Sequence, residues 1–235
     1  MRVVVTRPQA DAERTAAALR ARGYDVLVTP LMRVEPIAVD LDGQWSALAI
    51  TSANALNAIA GNPARDTLVR LPLLAVGRRS AEAAGKAGFT DVTSAGGDVR
   101  ELVRLIEASR RKGEGPVLYL AGEDRASDLV AELLERGMAV EMRVVYRAVT
   151  TPLPESLIDA LKAGEVDAVL HFSRRSAENY VAGAKSAGVV GPALAVQHFC
   201  LSAQVAEPLA GATHVMIAAR PDEATLIELL AAGSA

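Results

Sequence analysis

Six short stretches carry hydroxyl, amide and guanidinium side chains where a β-branched run gives way to a helix-forming one. They are Thr6-Arg7, Thr51-Ser52-Ala53-Asn54, Gly77-Arg78-Arg79-Ser80, Gly122 to Arg125, Ser173-Arg174-Arg175-Ser176 and Ser202. Helix N-termini present unpaired backbone N–H groups and a partial positive charge, which suits carboxylates and phosphates. Arg7, Thr51, Ser52, Asn54, Gly77, Ser80, Arg125, Ser173, Arg174 and Ser202 are therefore the candidate donors to an anionic ligand. Plain N-capping accounts for Ser52, Ser80 and Ser173 equally well. The arginines at Arg78, Arg79, Arg174 and Arg175 are another matter, because a cation at the positive end of a helix wants an anion beside it. The Arg110-Arg111-Lys112 run is expected at a helix C-terminus, where the dipole explains it, and it is set apart from the site.

Other chemistries are absent from the pattern. His171, His198 and His214 are scattered and the single cysteine, Cys200, belongs to no ligand-spaced cluster, so no metal site is expected, and the histidines read as satisfied or solvated side chains. There is no GxSxG elbow, no Walker loop and no complete dinucleotide fingerprint. Net charge is −3 and aromatics make up 3% of the 235 residues, which argues against nucleic acid as a partner. Hydrophobic residues reach 51%, enough for one or two packed cores. No stretch has the length of a membrane span, the short apolar run at Val3 to Val5 leads to the expectation of no signal peptide, and a single cysteine allows no intrachain disulfide. A soluble, cytoplasmic chain is expected, and without a heptad seam a monomer.

The elements that must position these side chains follow from alternation. Short strand-like runs (Val3 to Thr6, Asp25 to Thr29, Ala47 to Thr51, Leu73 to Val76, Val117 to Leu120, Val140 to Tyr146, Ala168 to Phe172, Ala193 to Val196, Thr213 to Ala218) are separated mostly by amphipathic helix-like stretches such as Ala10 to Arg22. That predicts an α/β protein with parallel sheets. An internal repeat organises them. Val3 to Val26 parallels Val117 to Val140, Ala47 to Ser52 parallels Ala168 to Ser173, the Leu74 run parallels the Leu194 run, and Asp98 to Leu102 parallels Asp222 to Leu226. After the second strand of each copy come the extended segments Leu31 to Ile37 and Val145 to Thr151, which suit a two-stranded bridge. Tandem and crossed wiring of the copies both remain open at this level.

Within the repeat, Tyr146 stands where the first copy has Met32, so the fold does not demand a tyrosine there. A phenol with an ordinary pKa near 10 is protonated at neutral pH and can donate.

Val5-Thr6-Arg7-Pro8, Ile50-Thr51-Ser52-Ala53-Asn54-Ala55, Ala75-Val76-Gly77, Leu118-Tyr119-Leu120-Ala121-Gly122 with Arg125, Val145-Tyr146-Arg147 and Phe172-Ser173, in this order and spacing, resemble the uroporphyrinogen-III synthase family over essentially the whole chain. The resemblance implies two flavodoxin-like parallel α/β domains joined by a two-stranded β ladder, with an active-site cleft between them. The domains implied are 1–31 plus 151–235, and 38–143, with 32–37 and 144–150 as linker strands. It implies a cyclising hydro-lyase without cofactor that acts on the linear tetrapyrrole hydroxymethylbilane. Tyr146 would assist loss of the hydroxyl as water, and the last ring would invert through a spiro intermediate to give uroporphyrinogen III. Two departures from the family pattern stand out: Ala121 where an arginine is expected before the glycine, and Gln197-His198-Phe199-Cys200 where a compact Gly-containing turn is usual. A two-domain small-anion sensor and an inactive homologue are the competing readings.

Overall fold

The structure is a computed structural model, and it describes residues 1–110, 113–124 and 129–233. Along the chain run β1 (Arg2–Val5), α1 (Gln9–Arg20), β2 (Asp25–Val28), β3 (Met32–Pro36), β4 (Ala47–Ile50), α2 (Asn54–Ala58), α3 (Arg65–Leu68), β5 (Leu73–Ala75), α4 (Arg78–Lys86) and β6 (Val92–Ser94). Then come α5 (Val99–Ser109), β7 (Val117–Gly122), α6 (Leu129–Glu135), β8 (Val140–Thr150), α7 (Glu155–Lys162), β9 (Ala168–His171), α8 (Arg174–Ser186), α9 (Val190–Ala195), β10 (Gln197–Cys200), α10 (Ala203–Ala206), β11 (His214–Ile217) and α11 (Glu223–Gly233).

Two sheets form, and the chain divides into two compact units, Met1–Arg33 with Val149–Ala235, and Val34–Ala148. The first sheet has the order β11-β10-β9-β1-β2 and the second β3-β8-β7-β4-β5-β6. Aligning the repeats makes β7 and β8 the counterparts of β1 and β2. Each sheet then reads 2-1-3-4-5, the flavodoxin-like order, with β3 added at one edge of the second. The wiring is crossed: the opening βαβ of one copy pairs with the later strands of the other, β1 with β9 and β7 with β4. Apart from one edge pair, the neighbouring strands are parallel. The edge pair β3 and β8 runs antiparallel: Thr151 N–H donates to Leu31 O and Ile37 N–H donates to Val145 O, so one strand advances as the other recedes.

Strand residues alternate between two helix layers. In the first unit Val4 and Val169 face Leu157 and Leu161 of α7 and Ala177 of α8, while Val3, Val5 and Phe199 face Leu19 of α1 and Leu226 of α11. In the second, Leu48, Ile50 and Leu118 face Leu56 and Leu68, while Ala47, Val117 and Tyr119 face Leu102 and Ile106 of α5 and Leu133 of α6. Burial on both faces explains why the central strands read as continuous apolar runs.

One predicted strand is displaced. Ala193 to Val196 lies mostly in α9, and the strand is the next segment, β10, over the residues expected to form a loop. The reason is His198. Its imidazole is fully buried with that of His171, Nε2 of His171 lying 3.1 Å from Nδ1 of His198, and Tyr180 stands edge-on to both rings. Two histidines fill apolar positions, so the alternation was masked. Their expected reading as satisfied or solvated side chains holds in part: the two rings bond each other and His198 has a backbone hydrogen bond at Ala193, while His171 Nδ1 is buried without a hydrogen-bond partner. Cys200, on the same strand, is buried, and desolvation pushes its thiol up to about 12, so it is an inert core residue.

Candidate functional site

Parallel strands gather their carboxyl ends at one edge of a sheet, and ligands of doubly wound folds bind there. In the second unit that edge is formed by the ends of β4, β5 and β7 with the middle of β8. Between Ala121 and Gly122 the β7–β8 register slips, so that Ala121 pairs with Val144 but Gly122 pairs with Tyr146. Such a bulge re-aims a side chain. Here it lays the Tyr146 ring across the bare Cα of Gly122, and Glu123 N–H donates to the Tyr146 carbonyl at 2.9 Å, fixing the backbone beneath it.

The phenol is half-buried among polar neighbours. Burial raises its pKa above the ordinary value, Ser52 opposes this through a side-chain hydrogen bond, and Tyr119 and Asp124 push it further up. Ser52 Oγ also accepts from Asn54 N–H at 3.2 Å, which fixes the serine at the entry to α2. Thr51 points to the other helix layer, where its Oγ1 is 3.2 Å from the hydroxyl of buried Tyr119. The result is a phenol that stays protonated at neutral pH, with a hydroxyl beside it.

Other expected donors of this unit take different places. Gly77, extended at φ −149°, is the N-cap of α4 and has no side chain to cap it, so the backbone donors of that first turn are not met by a capping side chain. Ser80 sits inside the turn, buried, rather than at the cap. Arg125 lies outside the described residues, as do Arg111 and Lys112 of the basic run.

In the first unit, Ser173 caps α8, accepting from Ser176 N–H at 3.1 Å, while Ser202 is the N-cap of α10 with no side-chain hydrogen bond. Arg174 is half exposed and pairs with Glu178 at 2.9 Å and Glu207 at 3.0 Å. Arg7 has the most internal engagement. Its guanidinium lies 4.1 Å from the Phe172 ring centroid and donates at 3.0 Å to both Glu223 and Thr15, tying the β1 turn to α11.

Three residues around the phenol carried no role of their own in the sequence: Tyr119, and Gly122 as a seat and Asp124, which entered only as parts of the Gly122 to Arg125 stretch. Tyr119 falls in an apolar run and reads as core. Its partner Thr51 is on another strand, so no local spacing announces the pair. The scarcity of tyrosine, four in the chain, was the available signal.

A family model described as uroporphyrinogen-III synthase HemD matches residues 13–228. Among solved structures, the uroporphyrinogen-III synthetase of Helicobacter pylori aligns with a TM-score of 0.69 at 22% identity, covering 99% of each chain. A mutant uroporphyrinogen III synthase of Thermus thermophilus aligns with a TM-score of 0.55 at 21% identity over 100% of this chain and 99% of its own. At these identities the two structures speak for the fold. No curated protein matches the chain significantly.

Proposed function

The chain belongs to the uroporphyrinogen-III synthase family, and from that premise we infer that it dehydrates hydroxymethylbilane and closes it, with inversion of the last ring through a spiro intermediate, to uroporphyrinogen III for tetrapyrrole and haem synthesis. It is an enzyme, a cyclising lyase acting on a small tetrapyrrole; by the loss of water we class it as a hydro-lyase. Family membership favours turnover over a small-anion sensor or an inactive homologue.

The observation that carries the residue-level reading is the half-buried Tyr146 ring seated on Gly122 at the strand-end edge beside Ser52. As the carbon–oxygen bond of the hydroxymethyl group breaks, its electron pair stays on oxygen, and Tyr146 hydrogen-bonds or gives its proton to that oxygen, so that water leaves. The ring nitrogen releases its proton and the azafulvene results. A raised pKa makes the phenol a poor spontaneous acid, so its transfer is confined to the moment when the leaving oxygen becomes basic. Ser52, donating to the phenol oxygen, stabilises the charge that develops there.

The substrate's carboxylates meet a net-acidic protein, so local donors must hold them. We assign this role to Thr51, Ser52, Asn54, the α4 turn from Gly77 to Ser80 and Arg125, and also to Ser173, Arg174 and Ser202. Arg7, engaged with Glu223, is left to organise its own turn. With the chain held, attack by the substituted carbon of the last ring outpaces spontaneous closure. We take the working form to be a cytoplasmic monomer that needs no cofactor, membrane or nucleic acid; among the described residues no helix is long and apolar enough to cross a membrane.

A coupled assay tests this: hydroxymethylbilane generated in situ, protein added, products oxidised and the isomers separated. Type III product in excess is expected. Type I product alone from folded protein would overturn the assignment.

A further inference from the structure

Gly122 closes β7 after five residues that carry side chains, and nothing in its backbone requires glycine. Its φ is outside the left-handed region where glycine is favoured. Glycine inside a strand weakens it, and its presence there marks a bulge or a close approach. Both occur here, at one residue. A Cβ on Gly122 would lie 2.6 Å from Cζ, 2.7 Å from Cε2 and 2.8 Å from the hydroxyl oxygen of Tyr146, well inside van der Waals contact. The three nearest atoms all belong to the reactive end of that one side chain.

The internal repeat shows that this pairing is not a requirement of the fold. The position equivalent to Gly122 in the first copy is Pro8, and the position equivalent to Tyr146 is Met32. Glycine and tyrosine occur together in one copy and neither occurs in the other. We propose that Gly122 is a positioning residue for the dehydration: its bare Cα is the seat of the Tyr146 phenol, and any side chain there moves the hydroxyl off the leaving oxygen. This rests on the assignment of Tyr146 as the donor. The atoms a methyl group would strike are the far end of a side chain rather than backbone, so the displacement falls on the phenol and the sheet persists.

The test is a cycle of Gly122→Ala, Tyr146→Phe and the double variant, assayed for turnover and isomer ratio, with thermal unfolding and ultraviolet titration of the phenols. Gly122→Ala is expected to reduce kcat about as far as Tyr146→Phe does, with KM changed less than about threefold, and to cost no further turnover in the Tyr146→Phe background. The phenol titration present in the parent and missing from Tyr146→Phe should move toward the ordinary tyrosine value in Gly122→Ala, because the displaced ring is better hydrated. Full turnover in Gly122→Ala beside an impaired Tyr146→Phe overturns the proposal, as does a cost that persists undiminished in the double variant. Full turnover in Tyr146→Phe instead overturns the assignment of Tyr146, and the positioning role falls with it. If Gly122→Ala unfolds, the Gly122→Ala, Tyr146→Ala double variant decides: recovery of the Tyr146→Ala melting temperature supports a clash with the ring, and failure to recover refutes it.

Discussion

The role proposed for Tyr146 depends on its keeping its proton. Burial lifts its pKa and Ser52 restrains the rise, so the donor form persists through neutral pH and beyond the ordinary tyrosine range. Tyr146→Phe keeps the ring on Gly122 and removes only the hydroxyl. It should lower kcat by about 100-fold, the lower end of what a positioned acid contributes, with KM little changed. A steady-state comparison checks this, and equal kcat would refute the role. Ser52→Ala removes the group that lowers the pKa, so the phenol of that variant should titrate at higher pH than in the parent. Tyr146 as a candidate was legible because the repeat offers an internal control at Met32. The bulge that aims it was not, since register between β7 and β8 depends on a strand pairing that no local pattern encodes.

Among the elements, helix starts were the most legible feature. Asp98 and Asp222 were matched as the openings of the last helix in each repeat. Asp98 accepts from Glu101 N–H at 2.8 Å, and Asp222 accepts from Thr225 N–H at the same distance. The Asp222 carboxyl is held below its ordinary pKa chiefly by that backbone bond. Asp98→Ala should cost about 1 kcal/mol, read as a lower denaturant midpoint with unchanged slope. β10 was the least legible, because of the buried histidine pair. Desolvation pulls His171 well below its ordinary pKa, and His198 falls to about 4. Both are thus neutral when folded and protonate more readily when unfolded. The sign follows: stability is intact above the unfolded value of about 6.5 and is lost as pH falls through it toward 4. For His198 alone the full loss is on the order of 3 kcal/mol. Melting temperatures between pH 7 and 4 should therefore fall more steeply in the parent than in a His171→Leu, His198→Leu variant. Parallel curves would exclude the pair as the cause.

At the scale of the molecule, crossed wiring makes the first unit discontinuous in sequence. The chain leaves it through β3 and returns through β8. Between the Leu31–Thr151 and Ile37–Val145 hydrogen bonds one strand advances six residues while the other recedes six, which puts Arg33 opposite Val149. Adjacent ends of an antiparallel pair accept a two-residue hairpin. A chain in which an Asn-Gly turn replaces residues 34–148 should then fold as the five-stranded unit, with a cooperative thermal transition, and should not shift the product isomers. A non-cooperative melt would show that this unit depends on the other for its stability.

The alternation of strand and helix, the twofold repeat, the helix starts at Asp98, Ser173 and Asp222, and Tyr146 as a candidate are all legible in the sequence on its own, because each depends on side-chain type and spacing over a few residues or on comparison of one half with the other. Tertiary structure alone decided which strands pair across the repeats, that β10 buries two imidazoles, that Tyr119 meets Thr51, and that Gly122 lies under the phenol. These are contacts between segments 24 to more than 100 residues apart, as in Gly122 with Tyr146 and β1 with β9. They form only when the sheets bring such segments to van der Waals distance, where a missing Cβ becomes room for a ring.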